Sequence, residues 1–255
     1  MAALEILHLT DPHLLAAAHA RLHGWQVETS FGAVLADALR RYPDCAALVL
    51  GGDLVDDESV AGYQRLDARL RALGRPVLAM AGNHDDPARM QRHLAAAAVH
   101  GVLDIGGWRL VALDSHRPGT ASGHLGERRI EALTQTLGAC PHRPTLVFVH
   151  HPPVAVGSAW VDAIGLDDGA ALRTCLAAQP QVRAVVCGHA HQDARIDCGG
   201  FDCLVTPSTM RQFLPGATDF GLDPKRGPGY RCIELDDHGR WRTRVHRVAV
   251  ADACG

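Results

Sequence analysis

Five short blocks of Asp, Asn and His hold most of the side chains in this sequence that could do chemistry: Asp11-Pro12-His13, Gly51-Gly52-Asp53, Gly82-Asn83-His84-Asp85, His150-His151 and Gly188-His189-Ala190-His191. Imidazole, carboxylate and amide oxygen suit borderline first-row metal ions, with iron and manganese favoured and zinc allowed. Two such ions about 3.5–4 Å apart need an anionic ligand in common, and a carboxylate can bridge them. Asp53 is the natural bridge. No Cys falls in any block, which argues against a thiolate-rich structural zinc site. Taken singly, the blocks have bland readings: Asp-x-His as a solvated turn, Gly-Asp as a turn or helix cap, Gly-His-x-His as an exposed polar loop. Their weight comes from context, because all five occur in order and each follows an apolar run.

Those apolar runs are the elements that must position the blocks. Strands are predicted over residues 5–9, 46–50, 76–80, 108–113, 146–149 and 183–187. Between them, helical spacing marks residues 29–41, with Thr29 or Ser30 as N-cap, then 59–73, a stretch after Pro87, 127–137 and 168–178. Residues 194–196, 201–205, 230–235 and 241–248 read as further strands joined by turns, and 214–229 as a long loop. Alternating strand and helix followed by hairpins predicts an α/β core with a strand-rich C-terminal part. In open α/β sheets ligands bind at the carboxyl ends of strands, so five strand ends can bring scattered residues to one edge.

At 255 residues, with 47% hydrophobic and 21% charged, the chain fits one globular domain, residues 1–255. A net charge of -3 argues against a protein built to grip nucleic acid. No stretch is long and apolar enough to span a bilayer, and the N-terminus lacks the pattern of a secretory signal. The eight Cys are scattered with no Cys-x-x-Cys pair, so reduced thiols in a cytoplasm are expected. Homodimer formation is left open.

The series Asp11-x-His13, Gly52-Asp53, Gly82-Asn83-His84-Asp85, His150 and Gly188-His189-x-His191 resembles the signature of the calcineurin-like metallophosphoesterases. The resemblance implies a four-layer α-β-β-α sandwich with two mixed sheets. It also implies two metal ions, one held by Asp11, His13, Asp53 and His191 and the other by Asp53, Asn83, His150 and His189. His84 matches the family's active-site histidine, which binds no metal, and Asp56 the carboxylate that orients it in the protein-phosphatase branch; an ordinary turn residue is the alternative for Asp56. Arg21-Leu22-His23-Gly24, Ser122-Gly123-His124-Leu125, Thr206-Pro207-Ser208-Thr209 with Gln212-Phe213, and Pro228-Gly229-Tyr230-Arg231 with Val245-His246-Arg247 are similar to the bacterial class III cyclic-nucleotide phosphodiesterases. That narrower likeness implies hydrolysis of 3',5'-cyclic AMP to 5'-AMP by a hydroxide held between the metals, with His84 protonating the leaving 3' oxygen. Substrate would meet His13, Asp53, Asn83, His84 and His191, with Ser208, Thr209 and the 214–229 loop as the nucleoside wall.

The rivals are a broader phosphodiesterase acting on 2',3'-cyclic nucleotides or glycerophosphodiesters, a nuclease of the same superfamily, and a non-catalytic scaffold. A scaffold is expected to lose ligands, and here every ligand position is filled. Among the other histidines, His8 is expected to pack inside its strand, and His19, His23, His93, His100, His116, His142 and His238 to lie on the surface or in loops. His151 is expected behind the metal ligands, because side chains alternate along a strand.

Overall fold

A strand that is apolar on both faces must be covered on both, and the central strands of this chain are of that kind. In the computed structural model, which describes residues 3–250, β2 (Ala47–Leu50) and β7 (Thr145–Phe148) are buried at every position. Alternation sorts their side chains between layers. Leu48 and Leu50 join one apolar cluster while Ala47 and Val49 join another. Val147 points away from Leu146 and Phe148 in the same manner.

Two mixed six-stranded sheets result. The first has the order β12 (Trp241–Arg247), β11 (Gly229–Leu235), β1 (Leu4–Leu9), β2, β3 (Val77–Ala79), β4 (Ala98–Val99). It is parallel from β1 to β4 and antiparallel at β11 and β12. The second runs β5 (Gly101–Ile105), β6 (Trp108–Ala112), β7, β8 (Val182–Cys187), β10 (Asp202–Val205), β9 (Ala194–Asp197), with antiparallel edges around a parallel centre. Ile6, Val49, Leu78, Trp108, Leu110, Phe148 and Val186 form the seam between the sheets. Outside the first sheet lie α1 (Val27–Arg41), α2 (Val60–Arg71) and α3 (Pro87–His93), anchored by Phe31, Val34, Tyr63, Leu66 and Met90. Outside the second lie α4 (Gly126–Gly138), α5 (Ala159–Asp162) and α6 (Gly169–Ala177), anchored by Leu133, Leu137, Val161, Leu172 and Leu176. The expected α-β-β-α order of layers is present.

Of the six described helices, α2 and α3 open on a side-chain cap, and α1, α4, α5 and α6 open without one. The Ser59 hydroxyl accepts from Gly62 N to open α2, and the Asp86 carboxylate accepts from Ala88 N and Arg89 N to open α3. For α1 the expected cap at Thr29 or Ser30 is wrong. The helix begins at Val27 after Gln26 with no side-chain cap. Ser30 is buried inside it and donates instead to Thr209 O at 2.6 Å. Three elements were not anticipated: β4 is two residues long, β5 is a mostly exposed edge strand, and α5 is a single turn. Residues 214–228 form no named element, as expected, beyond a bridge from Phe213 to Leu222. The seven described cysteines are unpaired, with Cys45, Cys187, Cys203 and Cys232 buried; Cys254 lies outside the described residues. Among the described residues no helix is long and apolar enough to cross a membrane.

Because the seam is what brings the two sheets together, Leu110→Ala should cost about 2–5 kcal/mol, read as a lower urea midpoint with unchanged slope. A loss below about 1 kcal/mol would mean that the seam carries less of the stability than a filled core should.

Candidate metal centre

Backbone hydrogen bonds join the strand ends of both sheets at one edge. Asp11 N donates to Gly52 O and His13 N to Asp53 O, each at 3.0 Å, which ties the segment after β1 to the segment after β2. Gly188 N donates to His150 O at 3.0 Å, tying the ends of β8 and β7, and Thr209 N donates to Thr10 O across the two sheets. The donors therefore sit on backbone that the fold itself holds.

That backbone is strained where it matters. Asp11, His13, Asp53, His189 and His191 have φ values of 53°, 47°, 51°, 64° and 46°. Non-glycine residues in this left-handed region carry a cost that persists only when the surroundings enforce it, and such residues cluster at functional sites. Two glycines let the strained segments pack closely. A Cβ on Gly82 would stand 2.1 Å from Asp53 Oδ1 and 2.5 Å from Asp53 N, and one on Gly188 would stand 2.6 Å from Asp11 Oδ2.

The side chains share one design: one polar atom bonded outward, one turned inward. Asp11 Oδ2 accepts from Thr10 Oγ1 at 2.6 Å, while Oδ1 lies 3.3 Å from His191 Nε2. Asp53 Oδ1 accepts from His84 N at 2.9 Å, while Oδ2 lies 3.3 Å from His150 Nε2 and 3.6 Å from His13 Nε2. His13, His150 and His191 donate through Nδ1 to Asp56 Oδ1, Gly51 O and Arg211 O, at 2.8, 2.7 and 2.9 Å. These outward bonds fix each ring and leave its Nε2 turned toward the interior. His189 Nδ1 lies 3.0 Å from Asn83 Oδ1.

The consequence is electrostatic. His13 Nε2 and His191 Nε2 are 3.3 Å apart with both Nδ1 atoms committed as donors. Two lone pairs do not face each other at that distance without a proton or a cation between them. His150 Nε2 and His189 Nε2 are buried with no hydrogen-bond partner. The centre thus has the features a metal pair requires: inward donors, buried anions and unsatisfied nitrogens. Asp11, His13 and His191 converge within 4.8 Å, and Asp53 converges both with His13 and His84 and with Asp11 and His150, so the two carboxylates each take part in two donor groups that could hold an ion.

Burial pushes the Asp11 and Asp53 carboxyls up, and the imidazoles of His191 and His150 beside them more than reverse it, leaving Asp11 at about 2 and Asp53 well below its usual value. Burial lowers His189 to about 3, and it lowers His191 against the pull of Asp11, so both offer neutral nitrogens. Burial disfavours the charged form of His150, yet Asp53 and Asp11 raise it to about 9.

His84 stands at the solvent side, with 44% of its side chain exposed and Nδ1 3.1 Å from Asp56 Oδ1. That bond raises it to about 9 and leaves Nε2 directed away from Asp56. The same Asp56 oxygen receives His13 Nδ1, so one carboxylate orients both an inward donor and the exposed imidazole.

Other placements depart from what the sequence suggested. Asp85 was only the end of a motif; it proves fully buried, accepting from Leu54 N, Val55 N, Gly82 N and Tyr63 Oη. Burial and the nearby Asp53 charge push its carboxyl up. His100, expected on the surface, is half-buried, and its Nε2 accepts from Ala81 N at 3.1 Å. His151 lies behind the ligands as expected, with Ser115 Oγ and Ala121 O on its two nitrogens. His8 is buried as expected, hydrogen-bonded to Thr206 Oγ1. The wall expected from Ser208 and Thr209 needs correction. Both are fully buried, and the Ser208 hydroxyl donates to Asp11 O. They support the segment that carries Asp11. The open side of the cleft, about 190 Å³, is lined instead by Trp160, Ile164, Met210, Arg211 and Phe213, with His23 at its rim.

The model for calcineurin-like phosphoesterases matches residues 4–193, and the chain belongs to that family. Among its relatives, a 3',5'-cyclic adenosine monophosphate phosphodiesterase of Pseudomonas aeruginosa is 37% identical, over 97% of this chain and 91% of that protein. The Escherichia coli K12 protein of the same name is also 37% identical, with the same coverage. A probable cyclic nucleotide phosphodiesterase of Synechococcus is 39% identical over 96% of this chain and 92% of its own length. In three dimensions, a dimetal phosphatase from Danio rerio superposes with a TM-score of 0.68 at 15% identity, covering 98% of this chain and 100% of that one. GAP50, the anchor in the inner membrane complex of Plasmodium, gives 0.62 at 14% over 98% and 90%. At such identities these likenesses concern the fold alone.

Gly82→Ala should leave the far-ultraviolet circular dichroism native while weakening metal retention by about 10–100-fold, because the new methyl displaces Asp53. Metal content after dialysis against graded chelator reads this directly. A variant that holds metal as tightly as the wild type would show that Asp53 can move without loss.

Proposed function

We propose that the chain, as one domain over residues 1–255, is a metal-dependent phosphodiesterase that hydrolyses 3',5'-cyclic AMP, and related cyclic nucleotides, to the 5'-monophosphate in the cytoplasm. The observation that carries this reading is the set of inward-facing Nε2 atoms around two buried carboxylates, on a chain whose full-length relatives bear that activity in their names. Asp11, His13, Asp53 and His191 would hold one ion, and Asp53, Asn83, His150 and His189 the other, a mixed nitrogen and oxygen set that suits iron, manganese or zinc. Bound there, the ions would supply Lewis acidity to the phosphoryl group and lower the pKa of the attacking water.

The chain's own residues do the rest. His84 donates Nδ1–H to Asp56, so its Nε2–H is free for the cleft, and the Asp56 carboxylate keeps the ring charged. As the new P–O bond forms and the bond from phosphorus to the 3' oxygen breaks, His84 passes its proton to that oxygen. Asn83 keeps its amide nitrogen as a donor, since its oxygen faces His189. The inner seam and the strand-end hydrogen bonds hold these groups in place, so little reorganisation is needed as charge develops. A scaffold role is disfavoured because no donor position is vacated.

The discriminating assay compares 3',5'-cyclic AMP, 3',5'-cyclic GMP, 2',3'-cyclic AMP and a glycerophosphodiester with defined metals added back to chelated enzyme. Turnover of the 3',5' substrates should vanish with chelation and return with metal; preference for the 2',3' isomer or the glycerophosphodiester would replace this reading with a broader one. Asp53→Ala should lose metal and turnover together. His84→Ala should keep its metal while kcat falls about 10²–10⁴-fold, and near-native turnover would remove His84 from the acid role.

A further inference from the structure

Facing the polar floor of the cleft is an aromatic wall that the chemistry above does not use. Phe213 lies flat on the His191 ring, 4.1 Å between centroids and 6° between planes, so the wall begins at the metal edge. Trp160 meets Phe213 edge-on at 4.8 Å, and Phe220 meets Trp160 and Phe213 at 5.2 and 5.7 Å. Phe220 is 58% exposed, and its neighbours on the same loop, Leu214 and Leu222, are each 42% exposed. Together with Val102 and Val60 these are the exposed large hydrophobics among the described residues, and three of the five stand on this one loop beside the cleft. An apolar cluster left open beside a polar centre marks a binding surface.

Two donors on the wall also lack acceptors. Trp160 Nε1 and Arg211 Nε are buried without a hydrogen-bond partner. Arg211 is the one Arg or Lys lining the cleft, has no carboxylate in ion-pair range among the described residues, and stands with its guanidinium 5.8 Å from the centre of the Phe220 ring. A fork-shaped cation kept free beside a phosphoester site matches an anionic phosphoryl oxygen. A single cation suits the single negative charge of a cyclic diester.

We propose that Trp160, Phe213 and Phe220 form the nucleoside subsite, stacking the base, while Trp160 Nε1 donates to an acceptor on the nucleoside and Arg211 binds a phosphoryl oxygen. This rests on the phosphodiester reading above and deepens it. Stacking depends on the flat face common to all bases, so the subsite selects nucleotides over base-free diesters and discriminates weakly between adenine and guanine.

The test compares binding of 5'-AMP and ribose 5-phosphate, which carry the same phosphate with and without a base, to manganese-loaded enzyme by calorimetry. Wild type should favour 5'-AMP by about tenfold or more. Phe220→Ala, at an exposed position, and Trp160→Leu should bring that ratio toward parity. Arg211→Gln should weaken both ligands together and leave the ratio standing. An undiminished ratio in both wall variants, or no preference in wild type that still hydrolyses cyclic nucleotides, overturns the subsite and leaves the proposed function intact. Wild type that binds neither ligand and cleaves no diester overturns both. Loss of 5'-AMP binding alone in Arg211→Gln would move that side chain from the phosphate to the base.

Discussion

Two carboxylates, Asp11 and Asp53, sit essentially out of contact with solvent within one cluster, and much of the surrounding structure answers that fact. A carboxylate withdrawn from water must be hydrogen-bonded and matched by positive charge or it destabilises the fold. Here each is bonded outward by one oxygen, to the Thr10 hydroxyl or the His84 amide, while the other oxygen faces imidazole. The imidazoles are fixed in turn by Nδ1 bonds to carbonyls or to Asp56. Because these partners come from both sheets, the cluster exists only when the seam between the sheets is packed. Any ion that binds it therefore binds the native state and adds to its stability by mass action.

The left-handed backbone at Asp11, His13, Asp53, His189 and His191 belongs to the same account. Glycine would adopt these angles without strain, but glycine offers no donor atom. The strain is held by the cross-strand bonds of Asp11 N and His13 N and by Asp85, whose carboxylate gathers Leu54 N, Val55 N and Gly82 N. Asp85 thus pins the segments carrying Asp53 and Asn83 without facing the centre itself.

The donors were legible in the sequence because their identity is local: an Asp or His directly after an apolar strand stands out, and parallel order sends such ends to one edge. Strand and helix types followed from periodicity for the same reason. What could not be read depends on tertiary burial. Ser208 and Thr209 look like surface hydroxyls but lie under Asp11. Ser30 looks like a helix cap but bonds to Thr209. His100 resembles any loop histidine until Ala81 N is found against it. The aromatic wall is assembled from α5 and the segment after Thr209, some fifty residues apart, and no spacing rule joins them.

Asp56 connects the two halves of the site. One oxygen receives both His13 Nδ1, behind an inward donor, and His84 Nδ1, behind an exposed one. A change in the pull on either imidazole is therefore felt by the other, because both press on the same carboxylate oxygen. The buried and the exposed side of the cluster are joined there by two hydrogen-bond-length contacts to one atom, and both lean on the loop after β2 that also carries Asp53.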